Sequence, residues 1–235
     1  MSRPGEGRQA PPRGQVRKER LAAETRATVD GLLEDDVAIG DLKIVNAALA
    51  EMRRAFRVFG SYRRVRKVTA FGSARTRPGD PTFRLAERFA HLIAEAGFMV
   101  VTGAGPGIME ACQRGAGRDR SFGVNIELPH EQKPNDYLDI WMNLQYFHVR
   151  KVMLIKYSHG FIVMPGGYGT LDEIYDTTTL IQTGKIGNFP VIIMGTAFWR
   201  DDVAVKGPPG DVRREPIGGH GHRAGDRQHE GGSAQ

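Results

Sequence analysis

The residues with the most chemical content form one run, Val163-Met-Pro-Gly-Gly-Tyr-Gly-Thr-Leu-Asp-Glu173. An apolar stretch ends at Pro165, and Gly166 and Gly167 let the backbone turn sharply with its N–H groups exposed. Thr170 is placed to cap a helix whose early turn carries Asp172 and Glu173. Free N–H groups at a helix N-terminus, with the positive end of its dipole, make a cradle for an anion such as phosphate. A turn and a capped helix account for Gly166, Thr170 and the two acids. Three glycines with a proline and a threonine exceed what a turn requires, so the run reads as a ligand loop.

Two other turns carry less. Thr102-Gly-Ala-Gly-Pro-Gly-Ile-Met-Glu110 looks superficially like a dinucleotide fingerprint, but the third glycine would fall where Ile108 stands. Phe71-Gly-Ser-Ala-Arg75 adds one glycine and a hydroxyl. Cys112 is the single cysteine, which excludes an internal disulfide and any multi-cysteine metal site. No activating partner stands near it, so it reads as a packing residue. His148 reads as a helix residue near the site. His220, His222 and His229 lie in a polar tail, and no metal site is expected of them.

These turns need a scaffold, and strand and helix signals alternate around them. Ile44, Val45, Ala48, Met52, Ala55, Phe56 and Phe59 recur at three and four residues, which predicts a helix from Asp41, its cap, to Phe59, with Gly60 as its stop. Strands are predicted at 68–71, 98–102, 121–126, 160–164 and 190–194. Helices are predicted at 82–96, 108–116 and 143–157, and after Gly169. Apolar strands separated by helices imply an α/β fold, a parallel sheet covered on both faces. Three strands end in the glycine-rich turns, at the edge where ligands of such sheets bind.

The 235 residues include 40% hydrophobic and 26% charged, enough for a sizeable core. No stretch approaches the ~18 apolar residues of a spanning helix, and no apolar run follows the basic N-terminus as in a signal peptide. A soluble, cytoplasmic protein is expected, with no membrane partner. The net charge of +6 raises nucleic acid as a partner. Its distribution argues against it: residues 1–20 are net +4 and residues 53–67 net +7, leaving the rest net −5. A solvated basic face and tail accounts for that excess, so nucleic acid is not expected. The chain divides into a mostly disordered basic arm (1–40), a helix (41–66), a catalytic domain (67–200) and a polar tail (201–235). The tail is expected to be disordered and dispensable, and it resembles a truncated or frame-shifted end.

The run PGGYGTLDE at 165–173, preceded by HVRK at 148–151, resembles the "Lonely guy" family. These are cytokinin-activating phosphoribohydrolases within a broader group of nucleotide monophosphate nucleosidases once mislabelled lysine decarboxylases. FGSAR and GAGPGIMEA match the family's other two loops, with Ala104 where a glycine is more usual. The resemblance spans about residues 68 to 195. It implies a Rossmann-like, doubly wound parallel sheet with an N-terminal helical extension, a homodimer, and no cofactor. The activity it implies is hydrolysis of the N-glycosidic bond of a nucleoside 5′-monophosphate (cytokinin riboside 5′-monophosphate or AMP-like), giving free base and ribose 5-phosphate.

By the same resemblance Arg150 and Glu173 are the catalytic pair. Lys151 and the loop residues Gly166, Gly167, Tyr168, Gly169, Thr170, Leu171 and Asp172 would bind substrate, as would Thr178, Gly72, Ser73 and Gly105. The chemistry agrees. A departing base leaves positive charge on the ribose, and a carboxylate held near the anomeric carbon stabilises it and orients water. An arginine grips phosphate or ribose and orients that carboxylate. The alternative from another class is a non-catalytic nucleotide or molybdenum-cofactor carrier, which needs the cradle but not Glu173 and Arg150. A pyridoxal-phosphate lysine decarboxylase fits poorly, because no lysine is singled out for a Schiff base.

Overall fold

Short apolar runs become the strands of one sheet. In the computed structural model, which describes residues 13–128, 133–187 and 189–203, these are β1 (Lys67–Phe71), β2 (Met99–Thr102), β3 (Ser121–Ile126), β4 (Ile140–Leu144), β5 (Phe161–Val163) and β6 (Val191–Ile193). All pair in parallel in the order β4-β3-β2-β1-β5-β6. The helices are α1 (Arg13–Glu34), α2 (Ile39–Ser61), α3 (Pro81–Glu95), α4 (Ile108–Ala116), α5 (Phe147–Tyr157) and α6 (Tyr168–Gln182). From β1 the chain winds outward to β4, then returns to the other side of β1 for β5 and β6. The strand order therefore reverses between β1 and β5. Open α/β sheets bind ligands at that point, outside the carboxyl ends of the strands.

Alternation along the strands feeds two cores. On one face Phe71, Val101, Phe122 and Phe161 meet α2 and α5, with Phe59 of α2 stacked between Phe122 and Tyr157 at 4.4 and 4.2 Å. On the other face Val68, Ala70, Val100 and Ile162 meet α3 and α4. The fold is a doubly wound, Rossmann-like α/β sheet with N-terminal helices, as expected. Among the described residues no helix is long and apolar enough to cross a membrane.

Four local expectations are corrected. Residues 13–34, placed in a disordered arm, form α1. Its Ala-, Glu- and Arg-rich sequence has high helix propensity, and the pairs Gln15–Glu19 (2.8 Å) and Arg20–Glu24 (3.3 Å) lie one turn apart. Residue 38, not Asp41, caps α2, and Asp41 lies in the first turn, where its charge meets the helix dipole. Residues 143–144 belong to strand β4, and α5 begins only at Phe147. Thr170 does not cap α6: the helix begins at Tyr168 behind Gly167, and Thr170 lies in its first turn. The tail from Gly207, and its three histidines, lie outside the described residues.

Candidate active site

The loops that follow β1, β2 and β5 are stitched to one another by their backbones. Ser73 N donates to Pro165 O at 2.9 Å, and Ile108 N donates to Ser73 O at 3.0 Å. The packing is close enough to demand glycine. A Cβ on Gly107, whose φ is +70°, would come within 2.9 Å of Ala74 Cα. One on Gly166 would come within 2.8 Å of Thr170 Cβ and 3.1 Å of Ser73 N. Asn135 braces the loop after β2, its side-chain amide donating to the carbonyls of Ala104 (3.1 Å) and Gly105 (2.9 Å).

Between the first and third loops lies a cleft of about 700 Å³, within the usual range for small-molecule sites. One wall is Gly166 to Thr170, another Gly72 to Thr76, and the floor is apolar, with Phe71, Met109 and Leu154. Thr170 N and Leu171 N are spent on Gly167 O, at 3.0 and 3.1 Å. Among the described residues no carbonyl accepts from the N–H groups of Gly166, Gly167, Tyr168 or Gly169. These are the free donors at the start of α6.

Arg150 of α5 also lines the cleft. Its guanidinium lies 5.1 Å from the Phe147 ring centroid, and its Nη2 donates to Glu173 Oε1 at 3.4 Å. The Arg150 side chain is 15% exposed and that of Glu173 only 1%. Three buried polar atoms here lack a hydrogen-bond partner among the described residues: Arg150 Nε, Glu173 Oε2 and Thr177 Oγ1. Such groups are costly to leave unpaired. Burial pushes the Glu173 carboxyl above the ordinary carboxylate range; Arg150 and Lys151 pull it back only in part, and Asp172 adds to the lift.

The elements hold this pair from behind. Glu51 of α2 is buried, and its carboxylate accepts from Gln145 N (2.5 Å) and Tyr146 N (3.4 Å) at the start of α5. Arg54 Nη2 donates to Asn143 O at 2.5 Å. α2 therefore fixes the end of α5 from which Arg150 projects.

The structure brings Gly72, Ser73, Arg150, Gly166, Gly167, Tyr168, Gly169 and Thr170 to the cleft, with Glu173 directly behind Arg150. Other expected residues stand elsewhere. Lys151 is held by Asp172 (2.8 Å) and Asp176 (2.7 Å) and does not line the cleft. Burial lowers its pKa, and the hydrogen bonds to those two acids outweigh burial and raise it. Leu171 packs against Val163 in the core. Thr178 is exposed and donates to Ile174 O of its own helix at 2.8 Å, whereas Thr177 is buried one turn beyond Glu173. Gly105 is buried within the second loop, and Gly103 reaches the cleft instead. Burial pushes the Cys112 thiol up to about 12, as befits a packing residue. Arg75, the last residue of the FGSAR segment, also lines the cleft, as do Asp80 and Phe198, which no motif singled out.

A parallel sheet with a cleft at its point of strand reversal defines an α/β protein of the Rossmann-like class. A family model described as "Possible lysine decarboxylase" matches residues 107–204. An uncharacterised protein of Archaeoglobus fulgidus is 36% identical over 118 residues, 49% of this chain and 77% of that one. The chain belongs to this lysine decarboxylase-like family, the one that includes the "Lonely guy" proteins. It is similar to a probable cytokinin riboside 5′-monophosphate phosphoribohydrolase of Arabidopsis thaliana, 49% identical over 54 residues, 23% of this chain and 26% of that protein. A second Arabidopsis cytokinin riboside 5′-monophosphate phosphoribohydrolase is 49% identical over 37 residues, 16% of this chain and 17% of that one. These matches cover about a quarter or less of the two plant proteins. Among solved structures, the molybdenum cofactor binding protein of Rippkaea orientalis is 22% identical with a TM-score of 0.43, covering 60% of this chain and 83% of that one. The molybdenum cofactor carrier protein of Chlamydomonas reinhardtii is 22% identical with a TM-score of 0.44, covering 62% and 88%.

Proposed function

We propose that the protein hydrolyses the N-glycosidic bond of a nucleoside 5′-monophosphate, AMP-like or a cytokinin riboside 5′-monophosphate, to free base and ribose 5-phosphate. The observation that carries this reading is a buried carboxylate, Glu173, one guanidinium beneath a cleft walled by free backbone N–H groups. The N–H groups of Gly166 to Gly169 take the phosphate. The apolar floor suits the base. The sugar then lies between them, over Arg150. A ribose whose hydroxyls engage the Arg150 guanidinium draws it toward the cleft and opens Glu173 to the anomeric carbon.

Water adds to that carbon as the C–N bond breaks, and the electron pair leaves with the base nitrogen. Glu173 takes a proton from the water and the base takes one up. The two transfers cancel, so the reaction consumes water alone. Holding phosphate and sugar in place converts binding into orientation at the reacting carbon. A carrier would need the cradle but would have no use for a desolvated carboxylate beneath it.

A panel of nucleoside 5′-monophosphates, each assayed for released base and ribose 5-phosphate beside its parent nucleoside, tests the reading. Monophosphates are expected to be cleaved and nucleosides spared, since without phosphate nothing fixes the sugar. Comparable turnover of AMP and adenosine would sink it.

A further inference from the structure

A phosphomonoester carries about −1.5 to −2 charges near neutrality, whereas the N–H groups of Gly166 to Gly169 are neutral dipoles. A cation beside them balances that charge. Arg150 lies under the sugar in this reading and already shares its charge with Glu173, at 3.4 Å. Lys151 is clamped between Asp172 and Asp176, at 2.8 and 2.7 Å, outside the cleft. The remaining cation on the cleft wall is Arg75, which is exposed and makes no ion pair among the described residues. Asp80, the acid on the same wall, instead accepts from Thr82 N at 2.7 Å to cap α3.

The backbone tethers Arg75 beside the cradle. Ser73 N is bonded to Pro165 O at 2.9 Å, which joins the first loop to the phosphate loop. Ser73 Oγ accepts from Arg75 N at 3.1 Å and curls the chain back. Two residues of chain span at most about 7 Å, and the arginine side chain bridges much of that distance. A planar guanidinium also matches two phosphate oxygens at once.

We infer that Arg75 is the phosphate-pairing cation of this cleft, and that it makes the site selective for phosphorylated over unphosphorylated ligands. The inference rests on reading the cleft as a nucleotide site. Its test is a calorimetric titration of ribose 5-phosphate into the wild-type chain, Arg75→Ala and Arg75→Lys, with base release from AMP followed in parallel. Arg75 is exposed, so the variants are expected to melt with the wild type; Arg75→Met serves as a second neutral variant. Arg75→Ala is expected to bind ribose 5-phosphate at least ~10-fold more weakly, the scale of one lost charge-assisted bond, and Arg75→Lys to recover part of it. The KM for AMP should rise by a similar factor with kcat little changed, the sign of a group that binds ground and transition states alike.

Equal affinity in wild type and both neutral variants overturns the inference and leaves the hydrolase reading intact. Arg75-dependent binding without base release from any monophosphate upholds it and removes the hydrolase reading. A wild-type chain that binds no ribose 5-phosphate overturns both.

Discussion

Glu173 is separated from the cleft by one guanidinium, and its carboxyl holds a proton more tightly than an exposed glutamate does. That suits a base that must accept a proton near neutral pH. Replacing it with glutamine keeps shape and size but removes the charge. Glu173→Gln is therefore expected to bind nucleotide while losing at least ~10²-fold in kcat, the usual scale for a positioned acid–base or electrostatic group. The active form is the carboxylate, so activity should rise with pH through an acid limb lying above the ordinary carboxylate range. An acid limb at the ordinary value, or one that persists in Glu173→Gln, would remove Glu173 from the role. Stability gives an independent readout of opposite sign. A carboxyl whose native pKa is raised binds more protons folded than unfolded, between its ordinary value and its raised one. Its contribution is most favourable below that window and declines as pH rises through it. Thermal melts across this range should show a downward slope in the wild type that the glutamine variant lacks.

At the scale of elements, the placement of Arg150 depends on α2. α5 has no side-chain cap at Tyr146, and the N–H groups of Gln145 and Tyr146 just before it need an acceptor. Glu51, one element away, supplies it. Glu51→Ala leaves two N–H groups without that acceptor and should lower unfolding free energy by about 1–3 kcal/mol. It should also reduce turnover, by loosening the end of α5 that carries Arg150. Glu51→Gln keeps one acceptor oxygen and should restore most of both; wild-type melting and turnover in Glu51→Ala would show that α2 does not hold the site. This bond also marks where the sequence stops being legible. The three turns can be read because glycine clusters at the ends of apolar runs, and α2 to α4 because their apolar residues recur at helical spacing. Glu51 cannot be read, since its partners are backbone groups 94 and 95 residues away. The helical face of α6 hides the choice between Thr177 and Thr178, which depends on which hydroxyl the sheet buries. β4 offers only the weak alternation of an edge strand, with Met142 and Leu144 buried and Trp141 exposed, beside a stronger helical pattern. α1 lacks periodicity altogether, and only propensity marks it.

The whole molecule leaves several apolar side chains uncovered on the helices that carry and brace the site. Ile44, Leu49 and Phe56 of α2 and Phe147 and Val152 of α5 are all exposed, and both helices pack on the same face of the sheet. Isolated exposed apolar residues are ordinary, but this many on two adjacent helices is the mark of an interaction surface. A second copy of the chain can cover it through a two-fold axis, because such an interface uses the same patch on both sides. The surface adjoins the cleft through Phe147, whose ring lies against the Arg150 guanidinium. Covering Phe147 would exclude water from that side of Arg150 and stiffen its approach to Glu173. The chain is therefore expected to form a homodimer whose activity depends on association. Arg53 and Arg57 flank Phe56 on α2 and are exposed, with no carboxylate partner among the described residues. Like charges thus meet near the axis, and added salt should tighten the dimer by screening them. Light scattering at micromolar concentration should give twice the chain mass. Phe56→Glu should give a monomer of unchanged secondary structure with reduced turnover, because it places a charge where apolar contact is required and touches neither the cleft nor the sheet. A wild-type monomer with full activity at that concentration would refute the expectation, and so would a Phe56→Glu variant that remains dimeric at low salt.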